Sequence, residues 1–246
     1  YYLIHSLNKK NYKTLDNLSA QNFIDVASEC GVKRVIYLGG LGVKNSDTSE
    51  HLLSRIQTGE ILNSSNNVQS IWLRAGVIIG SGGASFEIIR NLVEKLPVMI
   101  TPKWVNTYAQ PIAVDDVINY LVSSLYLEYD KNLVVDIGSQ KMMYRDMMLQ
   151  TAKALELKRY LIPFPFMSIN FSSYWLNLFT PVPFIVAKAL IEGLKCEVTI
   201  QNNNAKKYFY TADIFSALCN GFCPGSRGSD HCVNPSGKHC FPATRS

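Results

Sequence analysis

The sequence predicts an α/β domain built around a parallel β-sheet. Three units, each a short apolar strand followed by an amphipathic helix, succeed one another along the first 160 residues. Strands that alternate with helices typically pair in parallel. Glycine-rich turns at 39–42 and 76–83 follow two of these strands. Because ligands of such sheets bind beyond the carboxyl ends of the strands, both turns are expected to open onto one shared crevice.

The composition is that of a folded domain. Of the 246 residues 47% are hydrophobic and 17% are charged, and the net charge is only +5, which excludes a disordered chain. Basic residues are scattered, so no nucleic-acid partner is predicted. The chain begins at Tyr1 and lacks the basic start and long apolar run of a signal peptide. A cytoplasmic location is therefore expected.

Helix and strand boundaries can be read from the apolar periodicity. A helix is predicted over 16–30 and a strand over 34–38 that ends at Gly39 and Gly40, and a helix over 49–64 begins with Ser49 as its N-cap. The first helix is predicted to bury a stripe made of Leu18, Phe23, Val26, Ala27 and Cys30.

The same pattern continues to residue 156. A strand over 70–75 runs on through 76–80, a helix over 86–96 stops at Pro97, and a short strand follows over 98–101. Further predicted elements are a helix over 114–126, a strand over 133–138 and a helix over 144–156. The apolar face of the helix over 114–126 consists of Val114, Val117, Ile118, Leu121, Val122 and Leu125.

Two C-terminal regions differ from this domain, which is assigned to residues 1–160. Region 161–218 opens with a run to residue 187 that has no charged side chain and many aromatic ones, and its four prolines favour a helical cap over an apolar pocket. A membrane span or a helix dipping into lipid are the alternatives. Region 219–246 is predicted to be an irregular tail. Its Cys219, Cys223, Cys232 and Cys240 leave zinc, disulfides or a disordered or foreign end open, and no metal is predicted.

Four segments carry a family resemblance over about residues 1–200. They are 2–6, the strand 34–40 that ends in Leu-Gly-Gly, 73–80 and 110–117. In this order and at these intervals they resemble the atypical and extended short-chain dehydrogenases/reductases, in particular NmrA-like NAD(P)-binding proteins. The resemblance implies a Rossmann-like sheet, NAD or NADP as cofactor, and an oxidoreductase acting on an apolar carbonyl or quinone-like molecule. The cofactor-binding positions that it implies are His5, Leu38, Gly39, Gly40, Arg74, Ala75, Gly76, Val77 and Ile78.

The same resemblance places the substrate. Trp104 and Tyr108 lie in the loop that borders it, and the aromatic region with Trp175 would cover it. The partner expected is thus a small apolar molecule, and a peripheral membrane contact stays open. Substrate identity, the choice between NAD and NADP, and the oligomeric state are not predicted.

The phosphate-binding fingerprint of such sheets is missing. No Gly-x-x-Gly-x-x-Gly run, whose helix N-terminal amides would hold the pyrophosphate, occurs in the sequence. The resemblance implies that the first strands and their helices precede Tyr1, so the domain is expected to be N-terminally truncated. Weak or absent cofactor binding and an exposed sheet edge are expected in consequence.

The catalytic pair of the family is also replaced. Its enzymes carry Tyr and Lys four residues apart on a helix, whereas the corresponding helix here carries His51 and Arg55 on one face. His51 could donate a proton, since the ordinary pKa of histidine is about 6.5, and Arg55 could hold a ribose or a phosphate. The alternatives are a non-catalytic NAD(P)-binding module, used for redox sensing or complex assembly, and a fragment without function.

Overall fold

The computed structural model describes residues 1–6, 11–44, 48–164, 184–194 and 196–209. Most of the predicted cap, including Trp175, and the whole of the tail 219–246 lie outside these residues, so the expectations for them stay predictions. Within the described part, no helix has the length and apolar character needed to cross a membrane.

The elements alternate as the sequence predicts. The strands are β1 (Arg34–Gly40), β2 (Gln69–Ala75), β3 (Ile78–Ile79), β4 (Val98–Thr101), β5 (Tyr108–Ala109), β6 (Ile112–Ala113), β7 (Leu133–Ile137), β8 (Met142–Met143) and β9 (Tyr160–Pro163). The helices are α1 (Tyr12–Glu29), α2 (Glu50–Leu62), α3 (Ala84–Lys95), α4 (Val114–Tyr126), α5 (Tyr144–Ala154), α6 (Phe184–Gly193) and α7 (Asn204–Tyr208), with a 3₁₀ turn at Lys103–Asn106.

The central sheet is parallel. Its strands lie in the order β1-β2-β7, and Tyr2 adds a parallel bridge to Tyr37 at the free edge of β1. Gly40 pairs with Ala75, so β1 and β2 end at the same edge, and the Leu41 amide continues the contact by donating to the Ala75 carbonyl at 2.8 Å. The predicted Rossmann-like parallel sheet is thus confirmed, and both glycine-rich turns leave from one edge of it.

Helices cover both faces of this sheet. On one face α1 and α2 pack over Tyr2, Val35, Tyr37 and Trp72, and on the other α4 packs over Ile36, Ile71 and Leu73. A separate apolar cluster joins α3, α5 and α6 beside the sheet. Each layer buries an apolar face that it could not bury alone, which is the usual way in which an α/β domain is stabilised.

Arg34 secures the amino end of β1. Its guanidinium donates to four carbonyls at the C-terminal end of α4 and just beyond it, those of Ser124, Leu125, Leu127 and Tyr129, at 2.7–3.0 Å. The last carbonyls of a helix have no partner within it, and a cation there also suits the helix dipole.

Two predicted helix faces are wrong in part: Phe23 and Ala27 of α1 and Val117 of α4 face the core as predicted, whereas other members of the two stripes do not. In α1 the buried residues are Asp16, Ala20, Ile24 and Ala27. Leu18 and Val26 of the predicted stripe are 56% and 55% exposed, and Cys30 is exposed as well. The helix is rotated because Asp16 finds hydrogen-bond donors inside the molecule and because the small Ala20 faces the core.

In α4 the buried residues are Val117, Tyr120 and Ser124, while Ile118, Val122 and Leu125 are about half exposed. Tyr120 packs edge-on against Phe209 at 5.2 Å between ring centroids. The Ser124 hydroxyl can face the core because it donates back to the Tyr120 carbonyl at 2.7 Å. The predicted strand over 76–80 is also shorter, since β3 has only two residues.

Candidate functional site

The predicted pair His51 and Arg55 lies at the carboxyl edge of the sheet. Ser49 caps α2 as predicted, since its hydroxyl accepts from the Leu52 amide at 3.3 Å. The first turn of α2 therefore begins where β1 has ended, and His51 lies in that turn. This is the edge at which ligands of open parallel sheets bind.

His51 is the end of a chain of three hydrogen-bonded side chains. Its Nδ1 lies 3.2 Å from Nε2 of His5, and Nδ1 of His5 lies 2.7 Å from Oδ2 of Asp16. The Asp16 residue is only 1% exposed. No described residue makes a hydrogen bond to Nε2 of His51, so this ring nitrogen is left for another partner.

Asp16 has donors on both of its oxygens. Besides His5, the Ser54 hydroxyl donates to Oδ2 at 3.1 Å and the Ser6 amide donates to Oδ1 at 2.8 Å. A buried carboxylate is tolerated only where such donors meet it. The three acceptor bonds bring together an edge segment, α1 and α2, and they explain why a charged residue lies on the buried face of α1.

Burial keeps both imidazoles neutral. Burial, together with the smaller effects of the neighbouring His5 and Arg55, lowers the pKa of His51 to about 3 against the opposing effect of Asp16. The pKa of His5 is also lowered, first by burial and then by Arg55, against the opposing effect of Asp16. At neutral pH His51 is therefore an uncharged imidazole with one protonated and one unprotonated ring nitrogen. The ordinary pKa from which it was predicted to be a donor does not apply here.

Arg55 lies one turn beyond His51 and is only partly engaged. One of its Nη2 donors binds the Leu38 carbonyl of β1, and its guanidinium carbon lies 5.7 Å from the centroid of the Tyr37 ring. The Tyr37 hydroxyl in turn donates to the Arg55 carbonyl at 3.0 Å. The other N–H groups of this guanidinium make no hydrogen bond to any described residue. They could hold a ribose hydroxyl or a phosphate, as predicted.

The glycines at this edge serve packing. A Cβ added at Gly39 would lie 2.4 Å from Nε1 of Trp72, and one at Gly76 would lie 2.5 Å from the Gln110 carbonyl oxygen. At Gly40 it would meet Leu52 at 2.8 Å. The protein itself fills the Cβ position at each of these glycines, which accounts for the glycines by packing, and their predicted contact with a cofactor stays a prediction.

The other predicted cofactor positions lie along the ends of β2 and β3. Arg74 pairs with the fully buried Asp136 at 2.6 Å and lies 5.6 Å from the Trp72 ring centroid. Ala75 ends β2, the Val77 carbonyl accepts from the Ile112 amide at 2.9 Å, and Ile78 pairs with Ile112. These residues share the edge with His51, and their role toward a cofactor stays a prediction.

Of the predicted substrate residues, Trp104 lines a small apolar cavity and Tyr108 does not. The cavity lies among Val77, Ile88, Trp104, Tyr144, Met148 and Ile191, of which Ile191 belongs to α6. Nε1 of Trp104 is buried without a hydrogen-bond partner in the described part of the chain. Tyr108 instead lies under the Lys141 ammonium, 4.4 Å from its ring centroid.

Sequence reasoning missed Asp16 and Ser54. A signal was available for Asp16, since Asp16, Ala20, Ile24 and Ala27 recur at helical spacing and a carboxylate on that stripe requires a buried partner. No local signal pairs it with His5 and His51, because these side chains meet only in the folded sheet. Among the described residues, no group of three acidic, histidine or cysteine side chains is arranged to hold a metal ion.

Comparison with known proteins shows a likeness in structure and none in sequence. No family model matches the sequence, and no curated protein matches it. The structure is similar to triphenylmethane reductase of Citrobacter sp., with 17% identity over 86% of this chain and 72% of that chain and a TM-score of 0.66. The same reductase complexed with NADP(H) gives 15% identity over 87% and 74% and a TM-score of 0.63.

A third solved structure extends the likeness. It is dTDP-4-dehydrorhamnose reductase of Bacillus anthracis in complex with NADP, with 12% identity over 85% of this chain and 73% of that chain and a TM-score of 0.59. At such identities a likeness speaks to the fold. Together with the parallel sheet, it shows that the chain has a Rossmann-like α/β fold, as these solved reductases do.

Proposed function

We propose that the protein is an NAD(P)-dependent oxidoreductase that acts on a small apolar carbonyl or quinone-like molecule, with His51 as the residue that exchanges a proton with the substrate. The observation that carries this proposal is the hydrogen-bonded chain from Asp16 through His5 to His51, which ends at the carboxyl edge of β1 in a ring nitrogen that no described residue engages. A buried chain of this kind is costly unless it is used or fully satisfied.

The donor chemistry of the edge fits one half of a nicotinamide dinucleotide. The N–H groups of Arg55 that have no hydrogen-bond partner among the described residues suit a ribose or a phosphate. When bound, the cofactor supplies the hydride chemistry. The protein has to orient the substrate, exclude water from it and exchange its proton.

The apolar cavity supports the proposed substrate class. Its lining is apolar except for a few groups, and the indole N–H of Trp104 has no partner in the described chain. Such a site favours an apolar molecule that brings a hydrogen-bond acceptor, such as a carbonyl oxygen. Helix α6 connects the cavity to the site, because Ile191 lines the cavity and a Cβ at Gly193 would lie 3.6 Å from the Ser49 hydroxyl.

The test combines binding with turnover. Titration with NADPH and with NADH, followed by fluorescence of the reduced nicotinamide, gives Kd, and absorbance at the nicotinamide band follows oxidation by menadione or acetophenone. We expect His51→Ala to lower kcat by about 100-fold or more. We expect Arg55→Ala to raise Kd by about tenfold, the loss of roughly one charge-assisted bond.

Gln57→Ala is the matched control on the same helix. Among the described residues, the Gln57 side chain accepts a hydrogen bond from Asn17 and bonds to neither His51 nor Arg55. It is expected to leave kcat and Kd unchanged. Turnover that survives in His51→Ala would contradict the role of His51.

A non-catalytic NAD(P)-binding module is the second candidate. The specific observation in its favour is that His51 and Arg55 replace the Tyr–Lys pair. These two side chains bind separate partners, since His51 contacts His5 and Arg55 contacts the Leu38 carbonyl. Binding of NADPH that depends on Arg55, together with no turnover of any carbonyl or quinone by the unmodified protein, would support this candidate over the enzyme.

A further inference from the structure

Two residues behind His51 have a geometry that determines which of its nitrogens carries the proton. We propose that Asp16 and His5 are positioning residues that hold neutral His51 with its proton on Nδ1, so that Nε2 is free to accept a proton from an alcohol substrate. This inference rests on the proposed function for the identity of the substrate proton, and on the hydrogen-bond chain alone for the tautomer.

The tautomer follows from donor and acceptor counting along the chain. The Asp16 carboxylate can only accept, so Nδ1 of His5 must carry a proton where it meets Oδ2 at 2.7 Å. Neutral His5 then has a bare Nε2, which can only accept. Nδ1 of His51, at 3.2 Å, must therefore donate to it. The proton of neutral His51 is used in this bond, and its Nε2 carries a lone pair.

The proton then has a defined route. As a hydride leaves the carbinol carbon of the substrate for an oxidised nicotinamide cofactor, the hydroxyl proton passes to Nε2 of His51. The Nδ1 proton of His51 passes to Nε2 of His5, and His5 becomes a cation whose charge Asp16 balances. Reduction of a carbonyl runs through the same positions in reverse, and it starts from protonated His5.

Several charged or titratable groups face this chain in the described residues. Asp16 favours a cation on His5, and Arg55 opposes one on either imidazole. Burial, as the largest effect, raises the pKa of Tyr2 to about 12; Asp16 also raises it and Arg55 lowers it. Tyr2 therefore stays a neutral phenol. Burial, with smaller effects from Glu50, Glu192 and Asp16, also raises the pKa of Tyr12, which stays neutral. Asp16 is therefore the one described anion whose side chain touches His5, and it is the group to change.

Asp16→Asn reverses the logic of the chain while it keeps the size of the side chain. The Ser6 amide can only donate and needs the single amide oxygen of the asparagine, which leaves the NH₂ group to face His5. Nδ1 of His5 then has to accept, its proton moves to Nε2, and Nδ1 of His51 has to accept in turn. The proton of His51 is expected to move to Nε2.

Nitrogen NMR of the histidine rings tests this without reference to activity. The full protein is labelled with ¹⁵N, and the resonances of His5 and His51 are assigned by loss in His5→Gln and His51→Gln at pH 7.5. We expect His51 of the unmodified protein to show an unprotonated Nε2, and His51 of Asp16→Asn to show a protonated one. Ser54→Ala, which removes another bond to Asp16 and keeps its charge, is expected to leave the tautomer unchanged.

His5→Gln gives a second reading if Asp16→Asn does not fold. It removes the imidazole that fixes Nδ1, and we expect both tautomers of His51 to appear. A protonated Nε2 in the unmodified protein overturns the proposal, and so does an unchanged tautomer in both variants.

The kinetic arm measures oxidation of 1-phenylethanol with NADP⁺ between pH 5 and 9. We expect Asp16→Asn to lower kcat by about 100-fold or more at pH 7.5, with KM little changed, because its Nε2 cannot accept the proton. A tautomer shift without turnover in any protein supports the positioning role and overturns the oxidoreductase. Turnover that requires His51 but is insensitive to Asp16→Asn, with no tautomer shift, overturns the positioning role alone.

Discussion

Asp16 and Asp136 are both buried carboxylates, and their partners differ in kind. Asp136, which is fully buried, receives Arg74 at 2.6 Å and the backbone amides of Gln201 and Asn202 at 2.7 and 3.2 Å. Asp16 receives a histidine, a hydroxyl and one amide. The arginine is charged at every physiological pH, whereas the histidine can gain or lose a proton.

This difference separates a structural ion pair from a group that can change state. Asp136 ties β2 to β7 and to residues 201–202, and none of these described partners titrates near neutral pH. Asp16 lies next to a chain of two imidazoles that leads to the surface of the sheet edge. A buried carboxylate by itself is therefore poor guidance to function, and the titratable character of its partner is better guidance.

The largest expected effect breaks the fixed pair. Arg74→Met leaves Asp136 buried without its cation, and we expect the free energy of unfolding to fall by about 3–5 kcal/mol. Arg74→Lys keeps the charge and should lose less. Urea unfolding at pH 7 measures both. A loss below about 1 kcal/mol in Arg74→Met would contradict the view that this pair is chiefly structural.

The next effect concerns the two histidines of the hydrogen-bonded chain, His5 and His51. Because the pKa of His51 is lowered to about 3 and that of His5 is also lowered, the folded protein favours neutral rings that the unfolded chain protonates below pH of about 6.5. The stabilisation is complete above that pH and is lost as the pH falls toward 3. The loss has a slope of up to about 1.4 kcal/mol per pH unit for each ring.

Urea unfolding of the unmodified protein and of His51→Gln at several values between pH 7 and 4.5 measures this loss. The variant should depend on pH less steeply, by a total of about 2 kcal/mol over this interval. Equal slopes in the two proteins would mean that His51 is protonated as easily in the folded state as in the unfolded one.

A third prediction concerns the packing of α2, the helix that carries His51 and Ser54, and it does not involve Asp136. Alanine usually stabilises a helix by about 1 kcal/mol relative to glycine. At Gly59 a Cβ would lie 2.2–2.6 Å from the Trp72 ring. We therefore expect Gly59→Ala to destabilise the protein by about 2 kcal/mol. Gly59→Ala combined with Trp72→Leu should recover part of this loss, and a stabilised Gly59→Ala would disprove the packing argument.

The smallest effect concerns the bond that holds α2 to β1. The buried Tyr37 hydroxyl donates to the Arg55 carbonyl, so Tyr37→Phe should cost about 1 kcal/mol in the free energy of unfolding. The pH dependence of stability should stay as in the unmodified protein. A changed slope would show that this hydroxyl belongs to the titrating chain.

Much of the fold could be predicted from the sequence because it rests on local patterns. The apolar runs at 34–40 and 69–75, the stop at Pro97 and the cap at Ser49 each follow from two or three neighbouring residues. The buried faces of α1 and α4 could not be predicted, since an apolar stripe on a helix does not say which of two stripes meets the sheet. Asp16 on the buried face of α1 depends on partners that are distant in sequence. Ser124 on the buried face of α4 depends on the Tyr120 carbonyl one helical turn before it.

The candidate site divides in the same way. His51 and Arg55 could be found because their spacing is local and because the resemblance points to that helix. Asp16 and His5 could not be joined to them, since 35 or more positions separate them from His51 in sequence. The pairing of Tyr2 with Tyr37 brings His5 to the first turn of α2.

The enclosure of Trp72 between β1 and α2 makes its fluorescence sensitive to the packing of these two elements. The indole lies between Gly39 of β1 and Gly59 of α2, is 5% exposed, and has an Nε1 without a hydrogen-bond partner in the described residues. An indole in such dry surroundings emits at short wavelength, and the Arg74 cation near its ring makes the emission sensitive to local charge. A change in the packing of α2 on β1, or in the position of the Arg74 cation, would thus register as a change in intrinsic fluorescence without any added label.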